Sequence, residues 1–181
     1  MTTLVENNNL IFIHIPKNGG SSITSWLRTN LNGIKGKVTH GGMQHIKKDF
    51  NQLKSYHTFA VVRNPWDRIV SAYEFKKRKL NLQLEFSDWL YSEPEKNNNW
   101  FNFKTPQIKW LPIMPTWTIK FENLNKEFKL IQEYTNCNLP LQHKNKSIRN
   151  DYTLYYTTKT KKYVEKIFEE DIEVFKYKFE N

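Results

Sequence analysis

A segment near the N-terminus contains residues that are well suited to chemistry, because it combines one lysine with two glycines and two serines. This glycine segment (residues 17–22) consists of Lys17, Asn18, Gly19, Gly20, Ser21 and Ser22. Backbone N–H groups, hydroxyls and one positive charge at the start of a helix suit an anion, above all a phosphate group. The alternative interpretation is an ordinary turn between a strand and a helix that is rich in glycine.

The order of residues in the glycine segment differs from that of a nucleoside triphosphate loop. In that motif the lysine follows the second glycine and is followed directly by serine or threonine. Here Lys17 precedes both glycines, and we find no convincing acidic residue at a strand end to hold magnesium. The segment therefore favours a phosphate without a metal-bridged triphosphate. The five histidines are scattered and the single cysteine offers no Cys pair, so no metal site is predicted.

A second group with chemical potential lies in the stretch VVRNPWDRIVSAY at 61–73. Arg63 stands where a predicted buried strand ends and a helix begins, and ligands of open parallel sheets bind at such ends. The guanidinium of Arg63 can form paired hydrogen bonds with a phosphate, and Ser71 can add a hydroxyl. The alternative is that Arg63 forms a structural salt bridge and that Ser71 is a small packing residue.

Short apolar runs bounded by turn residues predict the strands that would position these groups. The clearest strands are 10–13, 58–62 and 116–121, with a shorter one at 37–40 after a turn at 32–36. Apolar residues at helical spacing predict helices, and Asn64 and Pro65 mark the start of one of them. The predicted helices cover 21–31, 43–53, 65–79, 86–91, 105–111, 122–135 and the segment from 158 onward, with loops at 92–103 and 139–151.

Strands that alternate with helices of this length predict an α/β fold. We expect three α/β/α layers with a central, mostly parallel sheet, in a single domain over 1–181 with a flexible N-terminus over 1–9. The chain is 38% hydrophobic and 15% aromatic, so Phe, Tyr and Trp must supply much of the core.

The net charge and the lack of a recognised membrane helix or signal peptide indicate the partners and the cellular compartment to expect. The formal charge of +10 favours polyanionic partners, although the lysine runs at 76–79 and 159–162 are equally typical of solvated helix faces. No run approaches the roughly 20 apolar residues of a membrane helix, and no signal peptide is recognised. With one cysteine, Cys137, an intrachain disulfide is excluded. These features predict a soluble, cytoplasmic protein without a membrane span.

Three segments resemble the sulfotransferase superfamily, and more closely its small, carbohydrate-type branch. They are HIPKNGGSS at 14–22, VVRNPWDRIVSAY at 61–73, and the tail at 139–179, which is similar to that branch's "LPH-N-S-R-Y-YY" and "DI-FGY-F" elements. Asn18 stands where the branch more often has threonine, and 139–145 carries extra residues. The resemblance implies a P-loop-NTPase-like sulfotransferase fold.

The same resemblance implies the cofactor 3′-phosphoadenosine 5′-phosphosulfate, with 3′-phosphoadenosine 5′-phosphate as the product and no metal. The glycine segment would hold the 5′-phosphosulfate, and Arg63 and Ser71 would hold the 3′-phosphate. Lys146 and Arg149 are predicted as additional cofactor contacts.

The implied reaction is in-line attack of an acceptor hydroxyl, or less readily an amine, on sulfur. Lys17 would stabilise charge on the leaving phosphate oxygen. A histidine suits the role of base at neutral pH. His40 is the predicted base, because related enzymes carry a histidine there, and His45 is the reserve candidate. His14 is expected to pack or to orient the loop, and His57 to lie at the surface.

The predicted acceptor is a carbohydrate or another small molecule, and the basic charge balance favours an acidic one. Its contacts are expected from the loop at 92–104. Two other functions are weighed against this one. A nucleotide-dependent, kinase-like phosphotransferase is disfavoured by the missing lysine and magnesium acid. A basic nucleic-acid-binding module is disfavoured because the aromatic residues fall on buried periodicities. No nucleic-acid partner is expected, and the oligomeric state is not predicted.

Overall fold

The computed structural model of the protein describes residues 2–35, 55–81, 83–92, 103–111, 113–142 and 149–180. The chain divides into two compact units. The first unit comprises Met1–Val62 and Lys109–Asn145, and the second comprises Arg63–Ile108 and Lys146–Asn181. That the whole chain forms one domain stays a prediction.

The first unit contains a sheet whose described strands follow the order β3-β1-β2-β4-β5. The strands are β1 (Thr2–Val5), β2 (Leu10–Ile13), β3 (Ile34–Lys35), β4 (His57–Val62) and β5 (Trp117–Lys120). The pairs β2–β4 and β4–β5 are parallel, whereas β1 is antiparallel to both β2 and β3. All described strands except β1 therefore run in one direction, which confirms the predicted α/β fold with a mostly parallel sheet.

The two strands predicted most clearly, β2 and β4, form the buried centre of the sheet. Every residue of β2 is buried, and so are all residues of β4 after His57. This explains why their sequences are continuous apolar runs without alternation. On one face of these strands, Phe12 and Phe59 pack together with 4.9 Å between ring centres and planes 31° apart. The helix α1 (Gly20–Leu31) adds Ile23, Trp26 and Leu27 to the same core, as its apolar spacing predicts.

The N-terminal segment differs from its prediction. Residues 1–9 were expected to be flexible, but Thr2–Val5 forms β1, and Val5 is almost fully buried opposite Leu10. A short 3-10 helix at Glu6–Asn8 and a left-handed Asn9 reverse the chain, which accounts for the polar residues there. The segment at 32–36, expected to be a turn, contains the two-residue strand β3.

The second unit is helical. Its helices are α2 (Pro65–Leu80), α3 (Phe86–Ser92), α6 (Thr158–Ile167) and α7 (Glu169–Phe175), with a 3-10 helix at Tyr152–Tyr155. Another 3-10 helix, Gln107–Trp110, begins in the second unit, and its last two residues belong to the first. Asn64 begins α2 as predicted, because its side-chain oxygen accepts a hydrogen bond from the Trp66 N–H at 3.1 Å. Aromatic side chains dominate its core, including Tyr73, Phe86 and Phe168.

Several predicted helices are shorter or interrupted. The helix expected to end near 135 consists of α4 (Leu124–Glu127) and α5 (Lys129–Tyr134), and the one expected over 105–111 is a single 3-10 turn. The C-terminal helix is interrupted at Phe168. The predicted strand at 37–40, the helix at 43–53 and most of the loop at 92–103 lie outside the described residues. Among the described helices, none has the length and apolar character needed to cross a membrane.

Candidate functional site

The glycine segment follows β2 through two left-handed backbone positions. Lys17 has φ 72° and Gly19 has φ 76°. Glycine adopts this conformation readily, whereas a lysine there costs about 1–2 kcal/mol. The chain thus turns sharply after β2 and re-enters as α1 at Gly20, with Gly19 as the N-cap. A strained lysine of this kind is typical of ligand-binding loops.

Asn18 anchors the glycine segment to the neighbouring strand. Its side chain is fully buried, and its amide nitrogen donates a hydrogen bond to the carbonyl oxygen of Val61 in β4 at 2.7 Å. This contact ties the turn after β2 to the carboxyl end of β4. The residue that departs from the family pattern is therefore a structural tether of the loop.

Gly20 is required by the close approach of a histidine. A Cβ atom at Gly20 would collide with the imidazole ring of His14. That ring also stacks on Phe12, with 5.7 Å between ring centres and planes 20° apart. His14 thus packs against Phe12 of β2 and against Gly20 at the start of α1, which is one of the two roles that the sequence predicts for it.

The start of α1 presents an anion-suited surface. The Ser22 N–H donates to the Gly19 carbonyl oxygen at 3.0 Å, so the first turn is well formed. Ser21 is exposed and Lys17 is half-buried, whereas Ser22 is buried. Because α1 has 12 residues, its N-terminus carries the partial positive charge of the helix dipole. The Ser21 hydroxyl and the Lys17 ammonium are therefore better placed for a ligand than the Ser22 hydroxyl.

A shallow pocket in the first unit shares two of its lining residues with the packing around Gly19. Residues 121–126 line it, and two of them, Phe121 and Leu124, approach Gly19 so closely that a Cβ there would lie 3.1 and 3.3 Å from their side chains. Gly19 is thus constrained by close packing as well as by its backbone angle.

In the second unit, Arg63, Asp67 and Arg149 form an arginine cluster around one carboxylate. The Arg63 Nε atom donates to Asp67 Oδ2 at 2.8 Å, and the Arg149 Nη2 atom donates to Asp67 Oδ1. The three side chains are only 8%, 13% and 12% exposed, respectively. The salt bridge that was weighed as an alternative for Arg63 is therefore present. It also joins Arg63 to Arg149, a second residue predicted to contact the cofactor.

The main chain of Arg63 is held by a glutamine that the sequence analysis did not identify. Gln107, which is fully buried, accepts a hydrogen bond from the Arg63 N–H at 2.9 Å and donates one to the Arg63 carbonyl oxygen at 2.8 Å. The carboxylate of Asp171 accepts hydrogen bonds from the Gln107 N–H at 2.7 Å and the Ile108 N–H at 2.9 Å. These hydrogen bonds hold the backbone of Arg63 in place, so its side chain extends from a fixed position.

Arg68 adds a fully buried positive charge to this unit. Its guanidinium donates to the carbonyl oxygens of Phe103 and Thr105 at 3.3 and 3.0 Å. Burial lowers the pKa of Arg68 to about 10; Asp171 opposes this shift and Arg63 adds to it. Burial likewise raises the pKa of Asp171, against the hydrogen bonds that its carboxylate accepts. Arg68 remains charged at neutral pH and strengthens the positive potential around Arg63.

The C-terminal tail is attached to the start of α2. The Asn64 amide nitrogen donates to the carbonyl oxygen of Lys178 at 2.8 Å, and the Tyr156 hydroxyl donates to the Trp66 carbonyl oxygen at 2.9 Å. The Tyr152 hydroxyl donates to the carbonyl oxygen of Phe179. These contacts fix the residues that flank Arg63 and Asp67.

The structure describes only some of the remaining residues that were predicted for the site. Ser71 is half-buried on α2, four residues after Asp67 and so on the same helix face. His40, His45 and Lys146 lie outside the described residues. His57 is exposed at the amino end of β4, where its ring stacks on Trp117 at 5.3 Å, as expected for a surface residue. In the part of the chain that the structure describes, no cluster of three or more His, Cys, Asp or Glu residues could hold a metal ion.

Three contributors to the arginine cluster and its support were missed. Asp67 had no predicted role in the site, although its spacing of four residues from Arg63 was an available signal for a salt bridge. Gln107 and Asp171 gave no local signal, since they lie 44 residues from Arg63 and 64 residues from each other in sequence.

Comparison with known proteins assigns most of the chain to one family. The sulfotransferase family matches residues 1–178. A crystal structure of a sulfotransferase from Alicyclobacillus acidocaldarius aligns with a TM-score of 0.45 and 14% sequence identity, covering 74% of this chain. The chain spans 60% of the length of that structure. No curated protein gives a significant match. Because the family match extends over nearly the whole length, the chain belongs to the sulfotransferase family.

Proposed function

We propose that the protein transfers a sulfuryl group from 3′-phosphoadenosine 5′-phosphosulfate to a hydroxyl group of a carbohydrate or another small acceptor. The observation that carries this proposal is the presence of two separate anion-suited features in a sulfotransferase-family chain. The glycine segment follows β2, and Arg63 follows the parallel neighbour β4. Two anion sites of this kind suit one nucleotide with two phosphate-bearing ends.

The residues of the glycine segment would hold the 5′ end of the donor. The N–H groups at the start of α1 and the exposed Ser21 hydroxyl offer hydrogen bonds, and Lys17 offers a positive charge. We assign Asn18, Gly19, Gly20 and Ser22 to the same end, with the Asn18 side chain acting through the loop conformation that it fixes. Bound there, the donor supplies an activated sulfuryl group on a phosphate leaving group.

The second phosphate of the donor would be held by Arg63 and Ser71, with Arg149 as an additional contact. The guanidinium groups of Arg63 and Arg149 meet at Asp67 in the described structure, which supports assigning them one ligand. Lys146, close to Arg149 in sequence, is assigned to the same end as a further cation.

The chemistry proposed for this chain needs a charge stabiliser and a base. Lys17 would stabilise the negative charge that develops on the departing phosphate oxygen. His40 would accept the proton of the acceptor hydroxyl, with His45 as the alternative base. The overall charge of +10 supports an acidic acceptor, and the loop at 92–104 is the proposed source of acceptor contacts.

Thermal unfolding with three ligands tests the proposal. We expect 3′-phosphoadenosine 5′-phosphate to stabilise the protein by about 2.7 kcal/mol at a hundredfold excess over its dissociation constant. Stabilisation by ATP with magnesium instead would favour the kinase-like alternative, and stabilisation by a mixed oligonucleotide would favour nucleic-acid binding. The absence of any effect of the bisphosphate at millimolar concentration would contradict the proposal. A screen of acceptors with sulfur-labelled donor then identifies the second substrate.

A further inference from the structure

We propose that Asp67 is a positioning residue that holds Arg63 and Arg149 as one two-armed site, and that this site makes the protein select a nucleotide carrying a second phosphate. The inference rests on the proposed function, since it concerns the phosphate end assigned to Arg63. It goes further by naming the residue that assembles the site and the property, nucleotide selectivity, that depends on it.

The geometry of the carboxylate is the first argument. Each oxygen of Asp67 accepts from a different arginine, Oδ2 from Arg63 and Oδ1 from Arg149. The two guanidinium groups are therefore neighbours although they are 86 positions apart in the chain. At side-chain exposures of 8–13%, solvent screens these charges only in part. A single carboxylate thus sets the separation and direction of two phosphate-binding groups.

The charge balance is the second argument. Two guanidinium groups and one carboxylate leave the arginine cluster with a formal charge of +1. The nearby pair of Arg68 and Asp171 adds one charge of each sign, so the excess persists. A closed structural salt bridge would be neutral, whereas this cluster still favours an anion. Without the Asp67 carboxylate, the two guanidinium groups would repel each other at short range.

Preorganisation is the third argument. Asp67 lies in the first turn of α2, which Asn64 caps, and the Arg63 main chain is held by Gln107. Arg149 belongs to the segment before the 3-10 helix at Tyr152–Tyr155, and its ion pair with Asp67 ties it to α2. A ligand that meets both arginines already in place loses less conformational entropy on binding.

The test compares two nucleotides, 3′-phosphoadenosine 5′-phosphate and adenosine 5′-phosphate, by titration calorimetry with the full-length protein. In Asp67→Asn we expect the affinity for the bisphosphate to fall about tenfold or more, as expected when charge-assisted hydrogen bonds are lost. The affinity for adenosine 5′-phosphate should change less than twofold. The ratio of the two dissociation constants therefore reports positioning of the second-phosphate site, which a general loss of structure would not alter selectively.

Three further variants complete the experiment. Asp67→Glu should recover part of the lost selectivity because it restores the carboxylate. Arg149→Gln should lower selectivity on its own, and it should add little to Asp67→Asn if the two residues act together. Asp88→Asn, an equal change of charge at an exposed position of α3, should leave both affinities unchanged.

The outcomes separate the two proposals. If the wild-type protein does not bind the bisphosphate, the proposed function fails and this role fails with it. If the wild type binds it and Asp67→Asn keeps the wild-type selectivity, only the positioning role is overturned. An equal loss of affinity for both nucleotides also overturns it. Should Asp67→Asn fail to fold, Asp67→Glu decides the question, because it displaces the carboxylate by one methylene group. Lowered selectivity with an unchanged affinity for adenosine 5′-phosphate supports the positioning role, and wild-type selectivity overturns it.

Discussion

The glycine segment and the arginine cluster are both suited to binding a phosphate group, but different parts of the chain form them. The glycine segment is contiguous, and its shape comes from two left-handed residues with one tether to β4, from Asn18 to Val61. The arginine cluster joins Asp67 to a residue 82 positions away, and Gln107 supports it from 44 positions away. The first site therefore depends on local backbone conformation, and the second depends on the packing of distant segments. Substitutions should affect the two sites in different ways.

The largest effect is expected from a residue that belongs to neither site. Replacing His40 with alanine should lower turnover by about 10²–10⁴-fold, because a positioned general base contributes that much. Binding of 3′-phosphoadenosine 5′-phosphate should stay near the wild-type value, since both phosphate sites are left intact. The measurement is transfer of labelled sulfate beside calorimetric binding, with His57→Ala as the control at an exposed position. Retained turnover would remove His40 from the role of base.

The next effect tests the arginine cluster directly. Arg63→Ala should weaken binding of the bisphosphate nucleotide about 10–100-fold, as expected for the loss of hydrogen bonds to a charged phosphate. Titration calorimetry measures it, and Arg78→Ala, an exposed cation in the last turn of α2, serves as the matched control. If both variants bind equally well, Arg63 has only the structural salt bridge with Asp67 and the comparison of two phosphate sites fails.

Removing Gln107, which supports the arginine cluster, should lower the stability of the protein. Gln107→Ala leaves the buried N–H and carbonyl groups of Arg63 without their partners, and we expect a loss of about 2–4 kcal/mol in the free energy of unfolding. Urea denaturation measures this, and Gln83→Ala at an exposed position should change stability by less than about 0.5 kcal/mol. A near-neutral Gln107→Ala would show that the cluster does not depend on this long-range contact.

The smallest effect concerns the glycine segment. Gly20→Ala introduces a Cβ into the space of the His14 imidazole, and we expect a loss of about 1–3 kcal/mol from overpacking. Denaturation of Gly20→Ala, His14→Ala and the double variant measures the coupling; His14→Ala should relieve much of the strain. Ser21→Ala, at the exposed neighbouring position, is the control. Strictly additive losses would contradict the packing of His14 against Gly20.

The sequence predicted the elements of the fold that depend on neighbouring residues better than those that depend on distant ones. The runs that became β2 and β4 and the capped start of α2 were predictable, because burial and capping leave periodic or local signatures. The strand at Thr2–Val5 was missed because its short, mixed sequence becomes a strand only by pairing with β2 and β3. The single apparent helix before Thr135 proved to be two, since apolar spacing does not reveal a local break.

The same difference between local and distant contacts applies to the residues of the candidate site. By itself, the sequence determined the glycine segment, the position of Arg63 after a buried strand and membership of a family, because each depends on neighbouring residues or on contiguous motifs. Only the tertiary structure decided that Asn18 is a buried tether, that His14 excludes a side chain at Gly20, and that Asp67 joins two arginines. The physical reason is that hydrogen bonds and ion pairs between distant segments form only when the core brings them together. One sequence carries no local record of such contacts.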